Sequence, residues 1–304
     1  MLLVVVPFLN EAAYLPGLLA SVAQQTLRPD RLLLVDDGSH DGSADVCEAF
    51  CREHPEARLL RRPPRPPELD RLASASELRA FTWALERAPD DWAVAVKLDA
   101  DVVLPPRHFE LVVDAMRRDP RIGIAGAFLS MEVAPGRIVR EGHPDTHVRG
   151  PNKFYRRACW EAVAPIPPIL GWDTIDEATA RMHGWATRSI ALPGSDPLHR
   201  RPTGTHDGAV RGFMRWGHCA YAAGSPPSLI AAGAVRRMSR RPRVLGGMAY
   251  AVGWGRAAVR RVPRASPEVR RHYRAEEWSR ALKPWRVVAR RLASVGSRTA
   301  PARR

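Results

Sequence analysis

The first apolar run, Leu2 to Val6 (LLVVV), has no polar position, which is the signature of a strand covered on both faces. The period then changes. Between Asn10 and Gln25, Leu15, Leu18, Leu19 and Val22 share one side at helical spacing. Arg31 to Val35 (RLLLV) repeats the buried-strand pattern, and Asp45 to His54 repeats the helical one. Helices are also predicted over Ala75 to Arg87 and from about Pro106 to Arg118, with strands over Ala93 to Leu98 and Ile122 to Leu129. Such alternation predicts an α/β fold, a doubly wound sheet with helices on both faces. The Pro-rich segment Arg61 to Pro67 (RRPPRPP) reads as an extended surface loop. Beyond residue 200 the alternation stops and Arg-rich helical segments replace it. A soft boundary therefore divides residues 1–205 from a basic, mainly helical extension, 206–304.

Charge sharpens that division. Of the 304 residues, 1–199 carry 23 Lys and Arg against 28 Asp and Glu, whereas 200–304 carry 24 against 4. An acidic body with a basic tail suggests that the tail meets something anionic, such as a membrane surface or a phosphate-rich ligand. Cys47, Cys51, Cys159 and Cys219 show neither zinc-like nor redox-motif spacing. The N-terminus lacks the basic start and small-residue cleavage site of a signal peptide, and no segment reads as a membrane span. The expectation is a cytoplasmic site, with the chain peripheral at the inner face of the membrane if the tail binds there.

Candidate chemistry clusters just past strand ends, where an α/β sheet binds ligands. Asp36-Asp37-Gly38-Ser39 follows RLLLV, and carboxylates there can accept hydrogen bonds from a base imide or ribose hydroxyls. The same four residues also suit a plain turn. Asp99-Ala100-Asp101 follows the strand AVAVKL. Two carboxylates one residue apart can grip a divalent ion that bridges a diphosphate, because hard cations prefer carboxylate and phosphate oxygens.

Taken together, Pro7-Phe8-Leu9-Asn10-Glu11, Asp36-Asp37-Gly38-Ser39-His40-Asp41-Gly42-Ser43 and Leu98-Asp99-Ala100-Asp101 resemble, in order and spacing, family 2 glycosyltransferases of the GT-A fold. The resemblance covers about residues 1–200. It implies a Rossmann-like, doubly wound mixed sheet and inverting transfer of a sugar from a nucleotide-diphosphate sugar, UDP- or GDP-linked, to an acceptor hydroxyl. Pro7, Asn10, Glu11, Asp36, Asp37 and Asp99 would contact the donor. Asp99 and Asp101, completed by His199, would hold Mg²⁺ or Mn²⁺. It also implies acids further on, which Gly171-Trp172-Asp173-Thr174-Ile175-Asp176-Glu177 supplies. Asp176 is the first choice for general base, with Glu177 and Asp173 in reserve, Asp173 also suiting a helix N-cap. Arg200 or Arg201 beside His199 can pair with phosphate, and Gly150 to Arg156 falls where sugar contacts occur in the family. The Asn- and Gly-rich stretch common before the D-x-D motif is missing; only Ala80 and Ala84 keep its small-residue character.

In the tail, Trp254, Tyr273, Trp278 and Trp285 are interspersed with Arg, as in interfacial segments that bury rings while cations meet headgroups. Relatives with such tails act on lipid-linked or envelope-polysaccharide acceptors, so an acceptor glycan or lipid-linked sugar is implied. Nucleic acid is disfavoured, since no binding motif accompanies the charge. The rivals are a non-catalytic nucleotide-sugar binder and a membrane or nucleic-acid scaffold acting through the tail. A nucleotidyltransferase is disfavoured because its glycine- and lysine-rich N-terminal triphosphate loop is absent.

Overall fold

The computed structural model describes residues 1–64, 70, 71, 73–134, 136–201, 208–239 and 242–296, with side chains as far as residue 282. Residues 65–67 of the RRPPRPP segment, Pro202 to Gly204 and the Trp285 side chain therefore lie outside the described residues. The chain opens with β1 (Leu2–Phe8), α1 (Leu15–Ala23), β2 (Arg31–Asp36), α2 (Ser43–Glu53) and β3 (Ala57–Arg61). It continues through α3 (Ser76–Leu85), β4 (Val94–Leu98), β5 (Val102–Val103), α4 (His108–Arg118) and β6 (Ile122–Ala127). The hairpin of β7 (Ser130–Ala134) and β8 (Arg137–Arg140) precedes β9 (Asn152–Arg156), α5 (Arg157–Val163) and α6 (Trp172–Met182). Next come β10 (Ala186–Ile190), β11 (Leu198–His199), α7 (Ala209–Ala223), α8 (Pro227–Met238), α9 (Leu245–Val259) and α10 (Pro267–Gly296).

Among the described residues the main sheet has seven strands in the order β10-β6-β9-β4-β1-β2-β3. β9 runs antiparallel to both its neighbours, and the other pairings are parallel. The uniform apolarity of β1 follows from its central place. Leu2, Val4, Val6 and Phe8 feed the core under α1 and α4, while Leu3 and Val5 feed the opposite core under α3. Each core needs alternate positions of the same strand, so no polar residue is tolerated on either face.

Two strands escape the apolar pattern. β3 (ARLLR) forms the sheet edge and is only partly covered, so charged residues interrupt it. β9 (NKFYR) lies between β4 and β6 and buries Lys153 completely, which the pattern reads as polar. The helix predicted from Asn10 starts only at Leu15, with Pro16 in its first turn, where the missing N–H costs nothing. Asn10 itself adopts φ 55°, outside the helical region.

The C-terminal helices pack by a different rule. A Cβ on Gly217 of α7 would stand 2.0 Å from the Tyr250 carbonyl oxygen, and one on Gly253 of α9 would stand 2.0 Å from that of Met214. The two helices cross backbone to backbone, and only glycine permits that approach. Ile175 and Ala178 of α6 join Ala222, Ala223 and Val269 in a small core that ties this layer to the sheet. Arg181 of α6 adds a 2.7 Å ion pair to Glu276 of α10. No helix among the described residues is long and apolar enough to cross a membrane.

Candidate functional site

The C-terminal ends of β1, β2 and β4 share one edge of the sheet, and the loops beyond them are tied together. Asn10 donates its backbone N–H to Ser39 Oγ (3.0 Å) and accepts the His40 N–H on Oδ1 (2.9 Å). Asp36 spends Oδ1 on its own turn, accepting the N–H groups of Gly38 (3.1 Å) and Ser39 (2.8 Å). Gly38 adopts φ 100°, a conformation that glycine makes cheap. Asp37 faces the cavity described below, where Arg62 (2.6 Å) and Arg71 (2.7 Å) hold its carboxylate. Of the residues predicted for the donor, Asn10 and Asp36 thus shape the loops, while Pro7, Glu11, Asp37 and Asp99 line the cavity.

Beyond β4, the short strand β5 pairs antiparallel with β11, setting His199 opposite Val102. This pairing brings His199 to the acidic motif from almost 100 residues away in sequence. Its Nε2 lies 3.5 Å from Asp101 Oδ1, and its Nδ1 lies 3.3 Å from Glu141 Oε1. Burial opposes a charged ring here, but Asp101 and Glu141 outweigh it and lift His199 to about 9. Arg201 bridges Asp101 Oδ2 (2.8 Å) and Glu11 Oε1 (2.5 Å). Asp99 accepts a hydrogen bond from the buried Lys97 ammonium, which also donates to the Gly150 carbonyl oxygen (3.1 Å) and lies 5.4 Å from the Trp172 ring centroid.

No set of three or more His, Cys, Asp or Glu among the described residues converges into a complete metal cage. The oxygen-rich donors nevertheless fit a hard divalent ion. Glu11 Oε2 is buried with no hydrogen-bond partner among the described residues, an atom that a cation would satisfy.

The acids of α6 part company. Gly171 occupies the N-cap, so Asp173 stands in the first turn and not at the cap position that its sequence suggested. Asp173 lines the cavity. Asp176 and Glu177 point into the protein. Lys153 donates to both oxygens of Asp176 (2.7 and 2.8 Å), and Tyr155 donates its hydroxyl to Oδ2 (2.6 Å). Burial lifts the Asp176 carboxyl to about 6 against the pull of Lys153. Glu177 pairs with His147 (3.0 Å) and accepts the Val148 N–H (2.6 Å). Burial works against its ionisation, yet His147 and Lys153 hold it down at about 2. Of the three acids considered for the general base, Asp176 has both oxygens committed to Lys153 and Tyr155, whereas Asp173 reaches the cavity.

One cavity of about 1220 Å³ is lined by Glu11, Asp37, Asp99, Asp101, Asp173, His199 and Arg201, and leaves out Asp176 and Glu177. Its sheet end includes Asp99, Asp101, His199 and Asp173, and its far end is walled by Arg215, Trp216, Arg237 and Tyr250 of the C-terminal helices. Sequence reasoning missed Lys97 and had Lys153 only within the Gly150 to Arg156 segment; the two flank Trp172 at 5.4 and 5.3 Å to the ring centroid. A Lys inside an otherwise apolar strand was the available signal, since such a cation demands a buried partner. It also missed Glu77, a half-buried cavity residue of α3 that accepts the Trp172 indole N–H (3.0 Å) and whose carboxyl is raised by desolvation. Nothing in the local pattern around Glu77 sets it apart from a surface helix acid.

The model of the family described as Glycosyl transferase family 2 matches residues 3–167. A PGL/p-HBAD biosynthesis glycosyltransferase of Mycobacterium bovis is 34% identical over 88 residues, 29% of this chain and 34% of that protein. An undecaprenyl-phosphate mannosyltransferase of Micrococcus luteus is 32% identical over 115 residues, 38% of this chain and 44% of that protein. The matches thus span less than half the length of these curated relatives. Among solved structures, a mannosyltransferase from Pyrobaculum calidifontis in complex with GDP-Man and Mn²⁺ superposes with TM-score 0.50 at 19% identity, over 94% of this chain and 82% of that one. Glucosyl-3-phosphoglycerate synthase from Mycobacterium tuberculosis, in complex with Mn²⁺, UDP and glucosyl-3-phosphoglycerate, gives TM-score 0.51 at 17% identity over 71% and 77%.

Proposed function

Because the chain belongs to glycosyl transferase family 2, we propose that it is an enzyme that transfers a sugar from a nucleotide-diphosphate sugar to an acceptor hydroxyl. Its fold is the GT-A arrangement that the motifs implied. The observation that carries the reading is the shared cavity, in which Asp99, Asp101 and His199 face one substrate space together with Asp173.

Asp37 would accept hydrogen bonds from the nucleoside, with Arg62 and Arg71 fixing its orientation. Asp99, Asp101 and His199, with Glu11 close by, would hold Mg²⁺ or Mn²⁺. Such ions commonly share a few protein carboxylates with substrate phosphates, so a partial protein cage suffices. When bound, the ion supplies positive charge that stabilises the departing diphosphate. Arg201, held between Asp101 and Glu11, sits where it could pair with a diphosphate oxygen.

Asp173 would take the proton of the acceptor hydroxyl. The acceptor oxygen then bonds to the anomeric carbon from the face opposite the diphosphate, and the nucleoside diphosphate leaves with the electron pair of the broken bond. That single displacement inverts the anomeric configuration. Asp176 and Glu177 act indirectly, fixing α6 and hence Asp173 through Lys153, whose Nζ also donates to the Asp173 carbonyl oxygen (2.7 Å). Similarity to a PGL/p-HBAD biosynthesis glycosyltransferase and to an undecaprenyl-phosphate mannosyltransferase supports an acceptor in envelope polysaccharide or glycolipid synthesis. Residues 1–205 would form the catalytic domain and 206–304 the basic extension that walls the far end of the cavity.

Calorimetric titration of UDP and GDP, with and without Mn²⁺, tests the reading on the wild type and Asp99→Ala. Metal-dependent binding of one nucleotide, lost in the variant, is expected. A folded wild type that binds neither nucleotide would overturn the proposal. Binding without transfer to any hydroxyl acceptor would favour a non-catalytic nucleotide-sugar binder.

A further inference from the structure

We infer that the outer face of α9, with the adjoining edge of α8, is a docking surface for an anionic lipid bilayer. The inference does not depend on what the cavity transfers.

The first support is an apolar stripe that nothing among the described residues covers. Leu245 (56%), Met248 (52%), Val252 (49%) and Val259 (85%) are all exposed. On a helix that turns roughly 100° per residue these four fall within an arc of about 60°. The other side of α9 is fully used: Gly246, Gly247, Ala249, Tyr250, Gly253 and Ala257 are buried against α7 and α8. Exposed Val235 on α8 and Val244 just before α9 extend the patch. A contiguous apolar surface of this kind marks an interaction site more often than an ordinary protein face.

Charge selects the occupant. Residues 208–262 contain ten Arg and no Asp or Glu. Arg236, Arg243, Arg256, Arg260 and Arg261 are exposed beside the stripe. A helix with an aliphatic face bordered by Arg suits the boundary between headgroups and acyl chains, where apolar side chains enter and guanidinium groups meet lipid phosphates. A nucleic acid would answer the charge but leave the aliphatic stripe in water.

Of the rings that the sequence suggested, Trp278 is exposed, but two others are engaged elsewhere. Trp254 is half-buried, stacked edge-on against Tyr221 at 5.6 Å, and donates its indole N–H to the Ser225 carbonyl oxygen. Tyr273 lines the cavity. Both are held by the protein itself, so the aliphatic side chains of α9 take the interfacial role. Arg237 of α8 and Tyr250 of α9 line the cavity, so the two helices that carry this surface also wall the site.

The test is flotation of the full chain with phosphatidylcholine vesicles, with and without phosphatidylglycerol, at low and high salt. The wild type should float with the anionic vesicles. Leu245→Ser/Met248→Ser/Val252→Ser should lower its partition about tenfold or more, and Arg243→Glu/Arg256→Glu should abolish the preference for phosphatidylglycerol. These positions are exposed, so circular dichroism should show an unchanged fold. Asp99→Ala should float like the wild type, which separates this inference from the proposed transfer. Failure of the wild type to float would overturn the inference. So would flotation that survives the triple change but vanishes in high salt, which marks a surface read by charge alone. A concentration-dependent dimer in sedimentation velocity, abolished by the triple change, would assign the stripe to a second copy of the chain instead.

Discussion

The sheet edge and the C-terminal helices wall the same cavity, yet they handle charge in opposite ways. At the sheet edge, buried ions are matched: Lys97 by Asp99, Lys153 by Asp176, Asp37 by Arg62 and Arg71, and Glu177 by His147. Across residues 208–262 ten Arg stand without one acid in the sequence. A charge removed from water must find a counterion, whereas an exposed one stays solvated. The paired ions therefore fix geometry, whereas Arg236, Arg243, Arg256, Arg260 and Arg261 present their guanidinium groups at the surface. The packing differs in parallel: branched side chains fill the two cores under the sheet, while α7 and α9 touch through Gly217 and Gly253.

The largest test of this contrast is Asp99→Ala. If the sheet edge holds the metal, turnover should fall by roughly 10³-fold or more, because several kcal/mol of charge stabilisation are lost. Reversing charge at Arg256 on α9 should leave turnover on a soluble acceptor nearly unchanged. Steady-state kinetics on the two variants would break the comparison if they fell together.

Asp173→Asn should lower kcat by about 10²–10⁴-fold with the melting temperature preserved, as expected for a general base exposed to the cavity. Asp176→Asn should do the reverse. It leaves the buried Lys153 ammonium without its carboxylate, at a cost of about 3–5 kcal/mol in urea unfolding. A fully stable Asp176→Asn enzyme with abolished chemistry would restore Asp176 as the base.

Gly253→Ala probes the other packing rule. The new methyl would have to displace the Met214 carbonyl, and overpacking of this kind costs about 1–3 kcal/mol. Val259→Ser on the exposed face of the same helix should change stability by less than about 0.5 kcal/mol.

The Glu177–His147 pair should also make stability depend on pH. Glu177 is depressed from 4.5 to about 2 when folded, so its contribution is complete above 4.5 and is lost as pH falls toward 2. His147 is raised above its usual 6.5, so its share is complete below that value and fades as pH rises through the higher folded value. Urea midpoints across these two windows should decline for the wild type and decline less steeply for His147→Gln.

How much of this was legible beforehand differs from residue to residue. The runs LLVVV and RLLLV announced β1 and β2, because a central parallel strand must be apolar on both faces. The spacing of Asn10-Glu11, Asp36-Asp37 and Asp99-Ala100-Asp101 was legible for a related reason, since motifs at strand ends sit in fixed register with the strands before them. Strands β3 and β9 were not, because an edge strand and a strand that buries Lys153 both carry charge within the run.

What the sequence by itself determined is the alternating fold of the first two-thirds, the order of its acidic motifs and the accumulation of Arg behind them. All three are local or compositional properties. Only the tertiary structure decided which acid serves the cavity. Asp173, Asp176 and Glu177 lie within one helix, and their separation depends on Lys153, Tyr155 and His147 arriving from distant segments. It also decided that His199 meets Asp101, through the pairing of β5 with β11. Likewise, the α9 stripe became an outer face because Gly217 and Gly253 bring α7 and α9 into contact and turn those four side chains away from the protein. Burial and ion pairing depend on long-range contacts, and no local pattern of residues encodes them.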